Sequence, residues 1–371
     1  MNGVKLVQRE VCARVGKNAG CFEEKVWVRA LWDTECAVHI NSPGGSGIMS
    51  SANPRVVVTY TCGNVTSERV SYFVEPSDIP SSCSLTVNVY DRRVTQLRLD
   101  FERFSLEQPT RLNYDPATNK YPAYFCHRDA FSVSSSAAGS SDNLGFMNLC
   151  GENKDQHIYI PVNATTGSAS VQLNFHLADR GTNTAYIRPQ WRIRITQIDC
   201  CAPDTRDLCA PRGCLQYYPE MSGSFSSFNY NNGNGPYQGL LNYAICFKRY
   251  DGICSIRYDS TNFQIAATNL LNSYGVAGCN QPTTNIAEPN SQDYLFIPDA
   301  RSTTVEDSYF CGSGLPDNSV STNAPGPMYV FFRTDAISDD VDLGTEKGFK
   351  IQYSESASGC YLSNQFPGVI G

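Results

Sequence analysis

The chain has 371 residues, enough for two or three domains that each bury a core, and carries a formal net charge of −7 with no Lys/Arg cluster or basic stripe. That balance excludes an electrostatic nucleic-acid partner, and no apolar run reaches the roughly 20 residues needed to span a bilayer. Sixteen cysteines, an even number, argue against the reducing cytosol and for a secreted, extracellular protein.

Two glycosylation sequons, Asn64-Val65-Thr66 and Asn163-Ala164-Thr165, agree with that compartment. The opening Met1-Asn2-Gly3-Val4-Lys5 lacks a signal-peptide hydrophobic core, which reads as a processed or truncated start.

Residues 1–55 read as a cysteine-containing N-terminal extension rather than a full domain. Val26-Trp27-Val28 and Ala37-Val38-His39-Ile40 are short strand candidates that Cys12, Cys21 and Cys36 can pin. Asn41 to Gly47 has the composition of a flexible connector. From Val56 onward a period of two dominates. Cys83, Leu85, Val87 and Val89 alternate with polar residues, as do Leu97, Leu99 and Phe101, and then Val171, Leu173, Phe175 and Leu177. Trp191, Ile193 and Ile195 form a further set, with Arg192 and Arg194 on the opposite face. Each set predicts a strand with one buried and one solvated face, as in an antiparallel sandwich. No stretch shows a 3.6-residue apolar stripe, and Gln264 to Leu271 reads equally as a helical turn or a strand.

The cysteine-rich run 201–213, flanked by Cys200 and Cys214, divides 56–200 from 214–371. Disulfides explain Cys200, Cys201, Cys209 and Cys214 better than a metal site does in an oxidising compartment. Adjacent Cys200 and Cys201 would close a strained ring, so they are expected to pair outward and brace the two modules. Farther on, Cys246 and Cys254 flank Asp251-Gly252. Asp-Gly signals a two-residue hairpin, whereas a Cys246–Cys254 bridge centres the turn near Tyr250. The cysteine spacing is given the greater weight and predicts a longer loop.

One pattern occurs twice. Cys126-His127-Arg128-Asp129-Ala130-Phe131 precedes Leu149-Cys150-Gly151, and Cys279 with Asp293-Tyr294-Leu295-Phe296-Ile297-Pro298 precedes Phe310-Cys311-Gly312. With Cys62 and Cys83 as an opening pair, Cys126 and Cys150 as a second, Arg333-Thr334-Asp335 and the closing Gly348-Phe349-Lys350-Ile351-Gln352-Tyr353, the chain resembles the CUB domain over about 56–200 and 210–360. Gln96 to Phe101, Cys150 to Asn153 with Gln156-His157, Trp191 to Cys200 and Ala210 to Tyr217 look closer still to tandem-CUB proteins secreted by arthropods. The resemblance implies an all-β fold of two disulfide-bonded CUB-like antiparallel sandwiches in tandem. Cys62, Cys83, Cys126, Cys150, Cys246, Cys254, Cys279 and Cys311 are its disulfide cysteines. The pairing of Cys12, Cys21, Cys36, Cys200, Cys201, Cys209, Cys214 and Cys360 stays open.

The resemblance also implies calcium sites. By position the ligands are Glu107, Asp129 and Asp179 in the first module, with Asp293 and Asp335 in the second, where Asp339, Asp340 and Asp342 follow in the next loop. Calcium takes several hard oxygen ligands, so clustered loop carboxylates suit it. Two features oppose this. Asp179 follows Phe175 one residue later than the family's Phe-x-x-Asp, and Arg128 stands beside Asp129 to compete for its carboxylate. The same acids also read as hydrogen-bonded loop residues.

No Gly-x-Ser-x-Gly, His-Glu-x-x-His or Gly-Asp-Ser-Gly-Gly occurs, and His39, His127, His157 and His176 are isolated, so no catalytic residue is expected. The second module is expected to close the chain, with no protease domain after it. Phe225, Phe228, Tyr230 and Tyr237 lie among Gly and Asn. They read either as exposed rings for a glycan or protein contact, or as rings folded onto the sandwich. The expected role is non-catalytic extracellular binding, adhesion or assembly in a matrix, coat or body fluid, with another protein or a second copy. Capture of a protease or glycan is the alternative.

Overall fold

The computed structural model describes residues 5–15, 18–28, 58–113, 115–116, 121–135, 148–162, 169–181, 185–266, 273–279, 293–338, 346–358 and 360. The chain divides into a unit of residues 1–53 and a unit of residues 54–371. Within the first, Lys5–Val15 and Asn18–Val28 form an antiparallel hairpin in which Cys12 stands opposite Cys21. The strand expected at Val26–Val28 is the end of this hairpin, while Cys36 and the strand expected at 37–40 lie outside the described residues.

The larger unit begins with two sheets. One orders His157–Pro161, Val94–Ser105, Gln190–Asp199, Val70–Val74 and Thr59–Tyr60; the other orders Asn64–Thr66, Ser82–Asn88, Ser170–His176 and Ala130–Ser135. Alternation in sequence becomes alternation in burial: Leu85, Val87, Val171, Leu173 and Phe175 are buried, while Gln172 faces solvent. The inner faces meet through aromatic rings. Phe175 stacks on Trp191 at 4.1 Å between ring centroids, Phe73 lies 5.7 Å from Phe175, and Phe104 lies 5.7 Å from Phe131. Burying each such side chain contributes about 1.5–3 kcal/mol. On the outer face Arg192 lies over the Tyr72 ring and pairs with Glu102 at 2.8 Å, as the opposite phase of that strand requires.

The rest is a 10-stranded sheet. Its main path runs Cys214–Tyr218, Asn242–Phe247, Met328–Arg333, Tyr294–Arg301, Ser319–Thr322, Ser255–Gln264, Gly348–Ser356 and Ser222–Ser226, with Ser273–Tyr274 and Glu306–Cys311 attached. The sheet bends so that its wings pack on each other. Phe247 meets Tyr353 at 4.6 Å and Phe225 at 5.3 Å, and Phe332 meets Phe349 at 5.1 Å. Among the described residues helix is confined to short 3-10 turns and the five-residue Gly275–Cys279. Among the described residues no helix is long and apolar enough to cross a membrane.

The cysteine spacing around Asp251-Gly252 misled the sequence reading. Ile253 N–H donates to the Tyr250 carbonyl at 3.0 Å and Gly252 has φ 80°, so a tight turn sits at Asp251-Gly252. Yet Asn242–Phe247 and Ser255–Gln264 are not neighbours; they enter different wings of the sheet. No bridge joins Cys246 to Cys254. Cys246 bonds Cys214, and Cys254 bonds Cys360, 106 residues away. Cys62–Cys83 and Cys126–Cys150 are the pairs that the resemblance implied, and Cys279 bonds Cys311. In the junction Cys200 bonds Cys209, and Cys201 is also disulfide-bonded. Of the ambiguous stretch after Phe263, Gln264 ends a strand and Ile265 bridges Gly312; residues 267–272 lie outside the described residues.

Candidate functional site

The first acidic site sits at one end of the first sandwich. Asp129 is 0% and Glu107 8% exposed. Asp129 Oδ1 accepts the Ala178 N–H at 3.0 Å, and Oδ2 accepts the Glu107 N–H at 3.1 Å and Arg180 Nη2 at 2.5 Å. Glu107 Oε1 accepts the Ile187 N–H, and Oε2 pairs with Arg128 Nη1 at 3.4 Å. The structure therefore brings two of the three expected acids together and leaves the third out. Asp179 is exposed, and its Oδ1 closes a local turn onto the Gly181 N–H at 2.8 Å. The one-residue offset after Phe175 carried this information: it places Ala178, a backbone donor, where the family has its acid. Sequence reasoning missed Arg180 and identified Arg128 as the competitor for Asp129, whereas Arg128 pairs with Glu107.

The second acidic site is buried. Asp293, 2% exposed, accepts the Tyr237 O–H through Oδ2 at 2.7 Å and the Asp335 N–H through Oδ1 at 2.7 Å. Tyr237 Oη in turn accepts the Ala266 N–H at 2.9 Å. Burial, with the charges of Asp335 and Glu346 nearby, holds the Asp293 carboxyl well above the usual carboxylate range. Asp335 Oδ1 accepts the Ile337 N–H at 2.8 Å. Asp339, Asp340 and Asp342 lie outside the described residues.

Among the described residues no group of three His, Cys, Asp or Glu side chains is placed to hold a metal ion. In the first site both oxygens of Asp129 are already taken by N–H donors, one of them a guanidinium, so the residues present do not fit a calcium shell.

Between the two β regions lies a buried joint made of hydrogen bonds. At its centre Asn229 is 0% exposed with φ 57°, a left-handed conformation that asparagine tolerates. Its N–H donates to Asn153 Oδ1 at 2.8 Å and its Oδ1 accepts the Glu152 N–H at 2.8 Å. Its Nδ2 donates to Gln108 Oε1 at 2.9 Å and to the Pro236 carbonyl at 2.8 Å. Gly151 of the Cys-Gly element packs against that amide with φ 74°, leaving no room for a Cβ. Tyr121–Pro122 pairs with Ile337–Ser338, the Ala123 N–H reaches the Ala336 carbonyl at 2.9 Å, and the Gly239 N–H reaches the Tyr124 carbonyl at 2.9 Å. At the junction Gln96 exchanges two hydrogen bonds with the Ala210 backbone.

His157 belongs to this joint. Its Nε2 accepts the Tyr217 N–H at 3.0 Å, and burial pushes the imidazole down to about 3. The native ring is neutral, whereas the unfolded chain binds a proton below its ordinary value of about 6.5. Stability from this group is full above that value and falls as pH drops toward 3, at up to about 1.4 kcal/mol per pH unit. Denaturant unfolding at about pH 7.5 and pH 5 checks this. The advantage of wild type over His157→Gln is expected to shrink at the lower pH; an unchanged difference would count against the assignment.

The aromatic residues offered as ligand contacts are core. Phe225, Phe228, Tyr230 and Tyr237 are 2%, 1%, 5% and 2% exposed. Phe225 packs on Phe247 and Phe349, Phe228 on Tyr243, and Tyr237 on Phe332. The Gly- and Asn-rich composition marks turns that fold the rings inward, with positive φ at Asn229, Asn231, Asn232 and Gly233. Asn64 is exposed, its amide donating to the Thr61 carbonyl at 3.0 Å; Asn163 lies outside the described residues.

Comparison with known proteins identifies one part of the chain. Residues 211–356 match the family model of the animal CUB domain. The matched stretch coincides with the ten-stranded sheet, its disulfides Cys214–Cys246 and Cys279–Cys311, and the second acidic site. No curated protein matches the chain. Among solved structures, the CUB1-EGF-CUB2 region of human MASP-1/3 is 13% identical, with a TM-score of 0.25, over 78% of this chain and 100% of that one. The same region of rat MASP-1 is 15% identical, with a TM-score of 0.23, over 80% of this chain and 99% of that one. The extracellular region of zebrafish Gpr126/Adgrg6 is 9% identical, with a TM-score of 0.25, over 80% of this chain and 36% of that one. Likeness at this level transfers neither an arrangement of domains nor a function. Neither the arthropod resemblance nor a second CUB domain has support from these matches.

Proposed function

We propose that this is a non-catalytic, secreted binding or assembly protein in which a CUB-like sandwich at 58–199 and the CUB domain at 211–356 act as one body joined by buried hydrogen bonds. The observation that carries the reading is the edge strand Ser222–Ser226. It ends the ten-stranded sheet, and Ser222, Gly223 and Ser224 are exposed. Such an edge offers unpaired N–H and C=O groups, and this one has no lysine, proline or inward charge of the kind that discourages pairing. A strand from a partner protein or a second copy can add to it. Light scattering over a range of concentrations, with non-reducing electrophoresis, tests self-association. Wild type is expected to associate and Ser224→Lys to remain monomeric; two monomers would exclude assembly through this edge.

Ligand capture is the second reading, and a polar groove on the outer face of the same sheet favours it. Ser255, Arg257, Arg301, Ser321, Ser354 and Ser356 line it, with no carboxylate in the lining. Its arginines pair with Asp259 and Glu306 in exposed ion pairs that are worth little. An acidic glycan suits this chemistry. A glycan array read with wild type and the Arg257→Ala/Arg301→Ala variant separates the two readings.

A further inference from the structure

The acids of the first sandwich are spent on a cation the chain supplies itself. We infer that Arg180 is the resident cation of the first acidic site and closes its loop without calcium. Each nitrogen of the guanidinium has its own partner. Nη2 meets Asp129 Oδ2 at 2.5 Å, Nη1 donates to the Ala178 carbonyl at 2.7 Å, and Nε donates to the Ile187 carbonyl at 2.8 Å. One planar group thus ties both ends of the loop 178–187 to a carboxylate with no solvent exposure. Glu107 secures the same loop from the other side through the Ile187 N–H, with Arg128 on its second oxygen. Arg128 is itself held over the Tyr186 ring, 4.9 Å from its centroid.

Arginine suits this work because its fork makes several directed bonds at once and keeps its charge at all working pH. A divalent cation would have to displace it, stranding two carbonyls that now have donors. Removing the side chain has the opposite consequence. Asp129 Oδ2 and the carbonyls of Ala178 and Ile187 would then lose their cation, with Arg128 still on Glu107, and oxygen groups of that kind are the chemistry calcium takes. Arg180 therefore acts as a positioning residue and as a plug.

Thermal melts of the full chain in millimolar calcium and in chelator test this. Wild type is expected to melt at the same temperature in both. Arg180→Ala should melt about 5–10 °C lower in chelator, since breaking a buried ion pair leaves an uncompensated charge, and calcium should restore part of the loss. Arg180→Lys keeps the charge without the fork and should lie between the two, insensitive to calcium. If Arg180→Ala does not fold in chelator, recovery of folded protein on refolding in calcium supports the assignment and equal failure in both overturns it. The inference is also overturned if Arg180→Ala melts with wild type. A calcium-dependent rise in wild type that disappears in Asp129→Asn would overturn it as well.

Discussion

Replacing Asn229 with alanine is expected to lower the unfolding free energy by about 3–5 kcal/mol, although the residue belongs to neither hydrophobic core. The substitution strands the Glu152 N–H, the Gln108 amide oxygen and the Pro236 carbonyl, all of which Asn229 now satisfies. A buried polar group left without a partner costs about 1–3 kcal/mol. Alanine must also hold φ 57°, where asparagine is tolerated and alanine is not. Because the bonds to Glu152 and Gln108 link the two β regions, unfolding followed by circular dichroism is expected to broaden or split into two transitions. Gly151→Ala should act in the same direction, its new methyl group running into the Asn229 amide. A loss below about 1 kcal/mol with a single sharp transition would show that the joint carries no weight.

The second large effect is expected at Trp191. Its ring is fully buried between the sheets, stacked on Phe175 at 4.1 Å and edge-on to Phe73 at 5.8 Å. Trp191→Ala should cost about 3–5 kcal/mol, the transfer of the ring plus the cavity it leaves. The indole Nε1 is buried without a hydrogen-bond partner among the described residues. Trp191→Phe therefore removes a strained requirement along with the outer ring, and should cost less than half as much. Midpoints from denaturant titration give both values; equal losses would mean that the indole N–H is satisfied in solution.

The strands of the first sandwich were legible because one face of each is buried, so Leu85, Val87, Val171 and Leu173 write the pleat into the sequence. Cys62–Cys83 and Cys126–Cys150 followed from the resemblance. The partners of Cys246 and Cys254 did not, because pairing depends on which wing each strand joins, and local spacing is silent on that. The aromatic loop showed its turn chemistry but not the direction of its rings. Arg180 was hidden for a similar reason: a long side chain meets a carboxylate 51 positions away, and no local pattern marks it. Asn229 was readable as a turn residue, but not as the hub that four groups share.

The short segment 335–337 serves two masters. Its Asp335 N–H is given to the buried Asp293, while the Ala336 carbonyl receives the Ala123 N–H of the joint and Ile337 pairs with Pro122. The hydrogen bonding of Asp293 and the docking of the two β regions therefore meet in three consecutive residues. A change in the docking that moved the Asp335 N–H would be felt as proton affinity at Asp293, and a proton on Asp293 would act back on the docking by the same free energy.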